Sequence, residues 1–223
     1  GCFMVDEEYG FRWLNDAITI ASDGSVITMD NCDTEHTEQV VIDKSITLIG
    51  SGREAFTLIA PVNETALTIL APDVIIQDIS ISSTRSGLSI EAADRVRLEN
   101  LDISGVGNFG IKTIDSFDLE FLTLDLIGNS DGAVHIDGGS AVADSLNISE
   151  NVGTGILLNG AGTLYLNNSI VELTQPSNPD EITDGFGVLM SESAILESQG
   201  NVYNSNTLVG VQSTSGSINL IDD

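Results

Sequence analysis

A unit of about 22 residues recurs along most of the chain, and this repeat restricts the fold more than any other feature of the sequence. Each unit carries a small residue followed by an aliphatic one, and only the interval after Gly155 is about ten residues longer than the rest. Self-similarity at such a period is typical of a solenoid, in which each repeat contacts only its neighbours. The small residues of successive units are Ala66, Gly87, Gly110, Gly132, Gly155, Gly187 and Gly210.

Within each unit, apolar and polar residues alternate over short stretches that are separated by Gly, Asn, Asp or Ser. This alternation predicts about three short strands per unit, each with one buried face and one face in water. Strands that recur in register stack in parallel, one coil about 4.8 Å above the last. The stricter Leu/Asn template of a leucine-rich repeat is missing. We therefore predict an all-β protein, a parallel β-helix, and a coil of about 22 residues favours the right-handed form.

Superposing the units predicts which residues share a column along the coil. Three positions after the small residue, His135 falls in a mainly apolar column, so we expect a hydrogen-bonded core histidine rather than a catalytic base. The other members of that column are Ile69, Ile90, Thr113, Leu158, Met190 and Ser213. A second column lies at a corner, and its polar side chains are expected to hydrogen-bond the backbone of the next coil. Its members are Asp78, Asn100, Thr123, Ser145, Asn168 and Gly200.

The N-terminal segment departs from the repeat, as terminal repeats do. Residues 11–21 place Trp13 or Leu14, Ala17, and Ile18 or Ala21 on one face of a helix, and the SDG run that follows predicts its end. Such a capping helix would cover apolar side chains and strand edges at the end of the coil. We predict a single domain over 1–223, with a cap region over 1–40, coils over 41–223 and an insertion loop over 174–185, and we expect the coil to continue or to be covered beyond residue 223.

One N-terminal run resembles a known family. It reads LNDAITIASDGSVITMDN, followed by VVIDKSITLIGSG, and an alternating strand pair is carried by Ile42, Lys44, Ile46, Leu48, Gly50 and Gly52. This pattern is similar to the start of secreted right-handed β-helix proteins of the pectate-lyase-like superfamily, in particular those with NosD-type repeats. The resemblance implies the fold and a secreted location. It implies little about activity, because the superfamily includes lyases, hydrolases, esterases, epimerases, adhesins and scaffolds.

The charge of the chain excludes several classes of partner. Seven Lys and Arg against 34 Asp and Glu give a net charge of -27. Nucleic acids and anionic membranes are bound through clusters of cations, which this composition cannot supply. A hydrophobic content of 41% and a mean hydropathy of +0.16 argue against a disordered acidic tail. No apolar run reaches the roughly 18 residues of a membrane span.

The two cysteines, Cys2 and Cys32, both lie near the N-terminus. They could form a disulfide in an oxidising compartment, or Cys2 could be the lipidated residue of a surface lipoprotein. Two free thiols are the third interpretation. The first two indicate a secreted or cell-surface protein.

Candidate catalytic residues follow from the resemblance, since a polysaccharide lyase would combine acidic Ca²⁺ ligands with an Arg or Lys that removes a proton next to a carboxylate. The only cations between residues 54 and 223 are Arg85, Arg95, Arg97 and Lys112. Of these, Arg95, Arg97 and Lys112 are candidates, and we favour a solvated face that relieves the acidity. Asp131, in an NSDG run similar to the first acid motif of polygalacturonase-like hydrolases, is a weak candidate whose position at a corner is the preferred interpretation.

Calcium is the metal that the sequence favours, because carboxylates are hard ligands and stacking brings them together. Superposition predicts that Asp102 and Asp125 share one outward column and that Asp115 and Asp137 share another. Like charges one strand spacing apart repel unless a cation bridges them. Hydrated carboxylates are the alternative for any one pair.

The insertion loop adds two prolines and three acids, Asp180, Glu181 and Asp184, which are candidate ligand-binding residues because loops on rigid scaffolds often carry binding sites. The leading hypothesis is a secreted or cell-surface scaffold, adhesin or carbohydrate-binding module without enzymatic activity. Its partner would be a polysaccharide or a cell surface, with end-to-end self-association or further domains of the same chain. The alternative is a calcium-dependent lyase, epimerase or glycoside hydrolase acting on an acidic polysaccharide.

Overall fold

The computed structural model describes residues 1–30, 32–178 and 184–223. The elements in these ranges are, in chain order, β1 (Phe3–Val5), β2 (Tyr9–Phe11), α1 (Leu14–Ile20), β3 (Val26–Met29), β4 (Glu35–Thr37), β5 (Val40–Ile42), β6 (Thr47–Ile49), β7 (Thr57–Ile59), β8 (Leu67–Ile69), β9 (Ile75–Gln77), β10 (Ser80–Ser82), β11 (Leu88–Glu91), β12 (Arg97–Glu99), β13 (Asp102–Ile103), β14 (Phe109–Ile114), β15 (Leu119–Leu122), β16 (Asp125–Ile127), β17 (Gly132–Asp137), β18 (Ser140–Asp144), β19 (Asn147–Ser149), β20 (Thr154–Asn159), β21 (Thr163–Asn167), β22 (Ile170–Glu172), β23 (Phe186–Met190), β24 (Ile195–Gln199), β25 (Val202–Asn204), β26 (Val211–Ser213) and β27 (Ser217–Ile221).

The strands form three long sheets that run along the coil axis. Sheet A has the order β2-β1-β3-β6-β9-β12-β15-β18-β21-β24-β27, sheet B runs from β4 to β25, and sheet C runs from β5 to β26. From β3 onward every third strand belongs to the same sheet and the pairs are parallel, whereas β1 pairs with β2 and β3 in antiparallel fashion. Each coil therefore passes through A, B and C in turn, which confirms a parallel β-solenoid of about eight turns.

Inward side chains of the three sheets form one continuous core. On sheet A, Leu98 pairs with Ile76 of the preceding coil and with Phe121 of the following one, and all three are fully buried. On sheet C, Ile90 pairs with Ile69 and Thr113, as superposition of the repeats predicts. Burying a side chain of this size stabilises the fold by about 1.5–3 kcal/mol, so the stacked columns supply most of the favourable free energy of folding.

The polar corner column between sheets A and B has a backbone explanation. Every member has a left-handed φ between 48° and 66°, a region that Asn, Asp and Gly adopt more readily than other residues. The backbone N–H of Asn100 donates to the carbonyl oxygen of Leu122 at 3.0 Å, so the parallel hydrogen bonding continues through the bend. A side-chain link joins Asn100 to Asp78. Backbone conformation explains the residue types in this column better than the expected hydrogen bonds from side chains to the next coil's backbone.

Buried asparagines stabilise the corner between sheets B and C. Asn129 accepts from the backbone N–H of Val106 at 3.0 Å through Oδ1, and Asn151 accepts from the N–H of Asn129 at 2.9 Å. The Nδ2 of Asn151 donates to the carbonyl oxygen of Leu126 at 2.8 Å, and both asparagines are fully buried. The spacing of the repeats does not predict this ladder, which satisfies backbone groups that would otherwise be buried without partners.

The N-terminal helix α1 is shorter than the predicted segment of residues 11–21. It buries Leu14, Ala17 and Ile18 and contacts β1, β2 and β5. Its first N–H groups donate to the carboxylate of Glu38, and its last carbonyl oxygens accept from the ammonium of Lys44. The helix is thus held at both ends by side chains from other segments, while its role as a cap stays a prediction.

A disulfide joins Cys2 to Cys32, which are 30 residues apart. Both thiols are therefore used within the N-terminal region. Among the described residues, no helix is long and apolar enough to cross a membrane.

Candidate functional site

The strand register moves His135 out of the predicted inward column. His135 pairs with Lys112 and Leu157, whereas Ile136 occupies the column that the repeat assigned to His135. The displacement arises because Ala133, rather than Gly132, fills the small-residue position beside Gly110. A shift of one residue turns a strand side chain to the opposite face. The prediction of a core histidine is wrong, and the His135 side chain lies half-buried on the outer face of sheet C.

On this outer face, four successive coils line a groove of about 360 Å³. Strand residues Ser89, Lys112 and His135 form one side, in register with each other. The other side comes from stacked corner loops, where the N–H of Asn108 donates to the carbonyl of Arg85 at 3.1 Å and that of Asp131 donates to Asn108 at 3.3 Å. We call this the sheet C groove, lined by Thr65, Arg85, Ser86, Ser89, Glu91, Asn108, Phe109, Lys112, Asp131 and His135.

Most cations of this acidic chain already have a partner. The contacts are Lys44 with helix carbonyls, Arg53 with Asp125, Arg95 with Asp73, Arg97 with Glu99 and Glu120, and Arg12 with the ring of Trp13. Among the described residues, the side chains of Arg85 and Lys112 form no ion pair and donate no hydrogen bond. Both of these unpaired cations line the sheet C groove.

The imidazole of His135 is held in a defined hydrogen-bonding state. Its Nε2 lies 3.1 Å from the Nδ2 of Asn159, whose Oδ1 accepts from the hydroxyl of Ser191 at 2.6 Å. With the Asn159 amide in this orientation Nδ2 donates, Nε2 accepts and the ring proton is on Nδ1. Burial lowers the pKa of His135, and the nearby charge of Lys112 lowers it further. At neutral pH the positive charge of the groove therefore comes from Arg85 and Lys112.

Gly132 allows an aromatic ring to lie against the groove. Its φ is +143°, and a Cβ at this position would approach the carbonyl oxygen of Thr154 to 2.0 Å and Cε1 of Phe109 to 2.7 Å. The ring of Phe109 also lies 5.0 Å from that of His135, measured between centroids. Only glycine leaves room for this arrangement, so the NSDG run contributes shape as well as the carboxylate of Asp131.

The other predicted cations, Arg95 and Arg97, lie on sheet A in a shallow cleft of about 380 Å³. Arg95 forms a two-pronged ion pair with Asp73, at 2.7 and 2.9 Å, which lowers the pKa of that carboxyl. Arg97 and then Gln77 lower the pKa of Glu99. These cations are neutralised by carboxylates of their own and neighbouring coils.

The two predicted calcium pairs differ in the structure. Asp102 and Asp125 do pair across β13 and β16, but Asp125 binds Arg53, and Asp102 accepts from Ser104. The predicted pairing of Asp115 with Asp137 is wrong, because Asp137 pairs with Ile114 as a result of the same one-residue shift. Within the described ranges, no three His, Cys, Asp or Glu side chains come together in a way that could hold a metal ion. Calcium binding stays a prediction.

The insertion loop leaves the corner between sheets B and C, which is the corner that carries Asp131. At its described ends, Gly153 donates to Gln175 at 2.8 Å, Gly185 donates to Gly153 at 2.6 Å, and the carboxylate of Asp184 accepts from the N–H of Ser177 at 2.8 Å. The candidates Asp180 and Glu181 lie outside the described residues. No feature of the sequence alone indicated that this corner continues the line of loops beside the groove.

Comparison with known proteins agrees with this architecture. None of the curated proteins compared with the chain matches it. Among solved structures, pectate lyase Pel9A superposes with a TM-score of 0.65 at 10% identity, over 92% of this chain and 62% of that enzyme. A pectin methylesterase in complex with a hexasaccharide superposes with a TM-score of 0.53 at 13% identity, over 89% of this chain and 78% of the other. The chain thus spans about 62% of the length of Pel9A, and the likeness shows the fold alone.

The model of the family described as right-handed beta helix region matches residues 63–223. That match covers most of the chain, including every coil that lines the sheet C groove. The family description also identifies the coil as right-handed, in agreement with the resemblance to the pectate-lyase-like superfamily. The protein belongs to the right-handed β-helix family.

Proposed function

We propose that the protein is an extracellular β-helix that binds an acidic polysaccharide in the sheet C groove without cleaving it. One observation carries this proposal: in a chain with a net charge of -27, Arg85 and Lys112 line the same groove, and they are the two cationic side chains among the described residues with no ion pair, hydrogen bond or cation–π contact. A charge-assisted hydrogen bond from such a cation to a sugar carboxylate contributes about 1.5–3 kcal/mol. Distant charges are screened beyond about 8 Å at physiological salt, so the charges that a ligand meets are those of Arg85 and Lys112 together with Glu91 and Asp131 of the same groove.

The remaining groups of the groove suit a sugar chain. Asp131 and Glu91 provide carboxylate acceptors for hydroxyl groups, Asn108 provides an amide, and Phe109 provides an apolar surface. The groove crosses four coils, so a linear ligand could contact all of them. The two structural neighbours are a pectate lyase and a pectin methylesterase bound to a hexasaccharide, which supports a carbohydrate partner.

The state of His135 supports binding without cleavage. A lyase needs a base beside the cations that neutralise the sugar carboxylate, and a neutral imidazole is suited to that role near neutral pH. In this structure the Nε2 lone pair of His135 already accepts the amide proton of Asn159. The disulfide between Cys2 and Cys32 supports an oxidising, extracellular location.

A lyase or epimerase remains the second candidate, because Lys112, Asp131 and His135 converge on the groove from three sequence positions. In that activity Arg85 or Lys112 would neutralise the sugar carboxylate, and Asp131 or His135 would remove the proton from the adjacent carbon. Calcium would add a second neutralising charge, with Asp131 and Glu91 as the nearest carboxylates of the groove.

Isothermal titration with hexagalacturonate and with neutral cellohexaose tests the proposal. We expect saturable binding of hexagalacturonate and at least tenfold weaker binding by the Arg85→Ala/Lys112→Ala variant. The matched control, Arg95→Ala/Arg97→Ala, removes the same charge from sheet A and should bind within twofold of the parent. Equal binding by both variants, or a preference for cellohexaose in the groove, would contradict the proposal.

Cleavage is tested on the same ligand by following the ultraviolet absorbance of unsaturated products, with calcium and with EDTA. If the absorbance rises steadily with the parent protein but not with the Arg85→Ala/Lys112→Ala variant, the protein is a lyase rather than a binding protein. No change in absorbance, together with saturable binding, supports the non-enzymatic function.

A further inference from the structure

A third cavity, of about 280 Å³, lies in the N-terminal region, away from the coils that line the sheet C groove. It is bordered by the segment before α1 and by β4. We call it the tryptophan pocket, lined by Cys2, Arg12, Trp13, Asp33, Glu35, His36 and Thr37. Trp13 is the only tryptophan of the chain, and 43% of its surface is exposed.

The aromatic wall of this pocket is held rigidly. The ring of His36 lies 4.9 Å from Phe3, 5.4 Å from Trp13 and 6.2 Å from Phe56, measured between centroids. Its Nε2 lies 2.8 Å from a carboxylate oxygen of Glu38, and this carboxylate also accepts from the first N–H groups of α1. The indole of Trp13 therefore packs against His36, whose position is fixed by Phe3, Phe56 and Glu38.

The charged groups around the indole have no strong partner within the protein. Arg12 places its guanidinium 5.3 Å above the ring centre of Trp13, which is a cation–π contact. In the described part of the chain, the carboxylates of Asp33 and Glu35 take part in no hydrogen bond or ion pair. The disulfide fixes Cys32, the residue before Asp33. The pocket thus offers the donors of Arg12 and two carboxylate acceptors beside a large, partly exposed aromatic ring.

We propose that the tryptophan pocket is a second saccharide-binding site, specific for an uncharged sugar unit. A sugar has an apolar C–H face that can pack on the indole, and hydroxyl groups that can both donate to Asp33 and Glu35 and accept from Arg12. The side chains in the pocket other than His36 carry one positive and two negative charges, within a strongly acidic molecule. A carboxylated sugar is repelled here because the carboxylates outnumber the cation, whereas in the sheet C groove the two unpaired cations equal the carboxylates in number. The inference stands independently of the function proposed for that groove.

The single tryptophan makes this site directly observable. Emission of the unmodified protein is recorded during titration with cellohexaose, mannohexaose and maltohexaose, with hexagalacturonate as the charged counterpart and choline as a cationic probe. We expect at least one neutral hexasaccharide to change the intensity or wavelength of emission saturably, while hexagalacturonate does not. Absence of a saturable change with all three neutral sugars would overturn the proposal, and a response to choline alone would make the pocket a cation site instead.

Variants locate the response in the pocket. Asp33→Asn and Glu35→Gln keep the shape of two exposed side chains, and we expect each to weaken binding of the neutral sugar at least fivefold. Arg85→Ala/Lys112→Ala, which alters only the sheet C groove, should leave the tryptophan titration unchanged. Unaltered affinity in both carboxylate variants would refute the site, as would loss of the tryptophan response in the groove variant.

Discussion

The cations on sheet A and those on sheet C differ in what lies one coil away. On sheet A, Arg97 projects beside Glu120 of the next coil, and Arg95 meets Asp73 of the preceding one. On sheet C, Lys112 has Ser89 on one side and His135 on the other, and neither is an acid. In a parallel β-helix the neighbour across the strand decides whether a charge is neutralised. A cation is therefore neutralised by carboxylates of the protein on sheet A and stays available to a ligand on sheet C.

The largest expected effect concerns the backbone beneath the groove. Gly132→Ala places a methyl group 2.0 Å from the carbonyl oxygen of Thr154 at a φ of +143°, so we expect the free energy of unfolding to fall by about 3 kcal/mol. The control is Gly128→Ala, at a φ of +67° with open space around the new methyl, which should cost about 1 kcal/mol. Urea denaturation measures both, and equal losses would show that the close packing of Phe109 and Thr154 does not matter.

Charge reversal separates the two sets of cations. Lys112→Glu replaces an unpaired ammonium with a carboxylate inside the groove, and we expect binding of hexagalacturonate to weaken by about 30-fold or more. Arg97→Glu makes the same change on sheet A and should leave the affinity within twofold. Titration calorimetry at one ionic strength gives both values, and a large loss in the Arg97 variant would mean that net charge, rather than the groove, governs binding.

Acidification should raise the affinity of the sheet C groove for hexagalacturonate by a few-fold. The lowered pKa of His135 keeps the imidazole neutral at neutral pH, and its protonation below that pKa adds a positive charge beside Lys112. Affinity for hexagalacturonate is therefore expected to rise once the pH falls below the lowered pKa of His135. His135→Asn should lose this dependence while binding normally at pH 7, and a pH profile shared by both proteins would exclude His135 as the cause.

The lowered pKa of His135 has the opposite effect on stability, because acidification lowers the free energy of unfolding. The pKa of His135 is lower in the folded protein than in the unfolded chain, so the unfolded state takes up the proton first as the pH falls below about 6.5. The His135 contribution therefore destabilises the fold progressively in that range and is absent above it. Comparing urea denaturation of the parent and His135→Asn near pH 7 and pH 5 isolates this contribution.

The smallest expected effect comes from the exposed pair on sheet A. Arg95 and Asp73 are each 54% exposed, and pairs of this kind contribute little to stability. Arg95→Gln should leave the melting temperature at neutral pH unchanged, while the pKa of Asp73 rises toward its ordinary value because its hydrogen-bonded cation is gone. Nuclear magnetic resonance titration of the Asp73 carboxyl follows this directly, and an unshifted pKa would show that the pair does not form in solution.

Much of the fold could be predicted because its information is local and repeated. The alternation of apolar residues identified Ile69, Ile90 and Leu158 as inward side chains, and all three are fully buried. The corner column was located correctly, although its polar residues serve mainly a left-handed backbone. Lys112 and Asp131 were candidates from the outset, yet their convergence with Arg85 and Phe109 was not predicted, because the paths of the corner loops depend on the coils beneath them.

The errors for His135 and Asp137 trace to one coil. Gly132 follows the repeat in sequence, but Ala133 occupies the small-residue position in space, and His135 and Asp137 are displaced with it. Either residue is small enough for that position, so the pattern alone cannot choose between them. The hydrogen-bond register with the adjacent coils makes the choice, and one residue of shift reverses the face of every side chain that follows in the strand.

The amino-acid pattern alone is sufficient for the solenoid, its period, its aliphatic core and its acidic exterior, since each depends on residue types that recur at short range. Tertiary structure decides which charges remain unpaired, which side chains meet in the two pockets, and where the histidines lie. Those properties depend on neighbours about 22 residues away in the chain, or, in the tryptophan pocket, on β1, the segment before α1 and β4 coming together. Contacts of this kind are created by the register of the coils rather than by any one stretch of sequence.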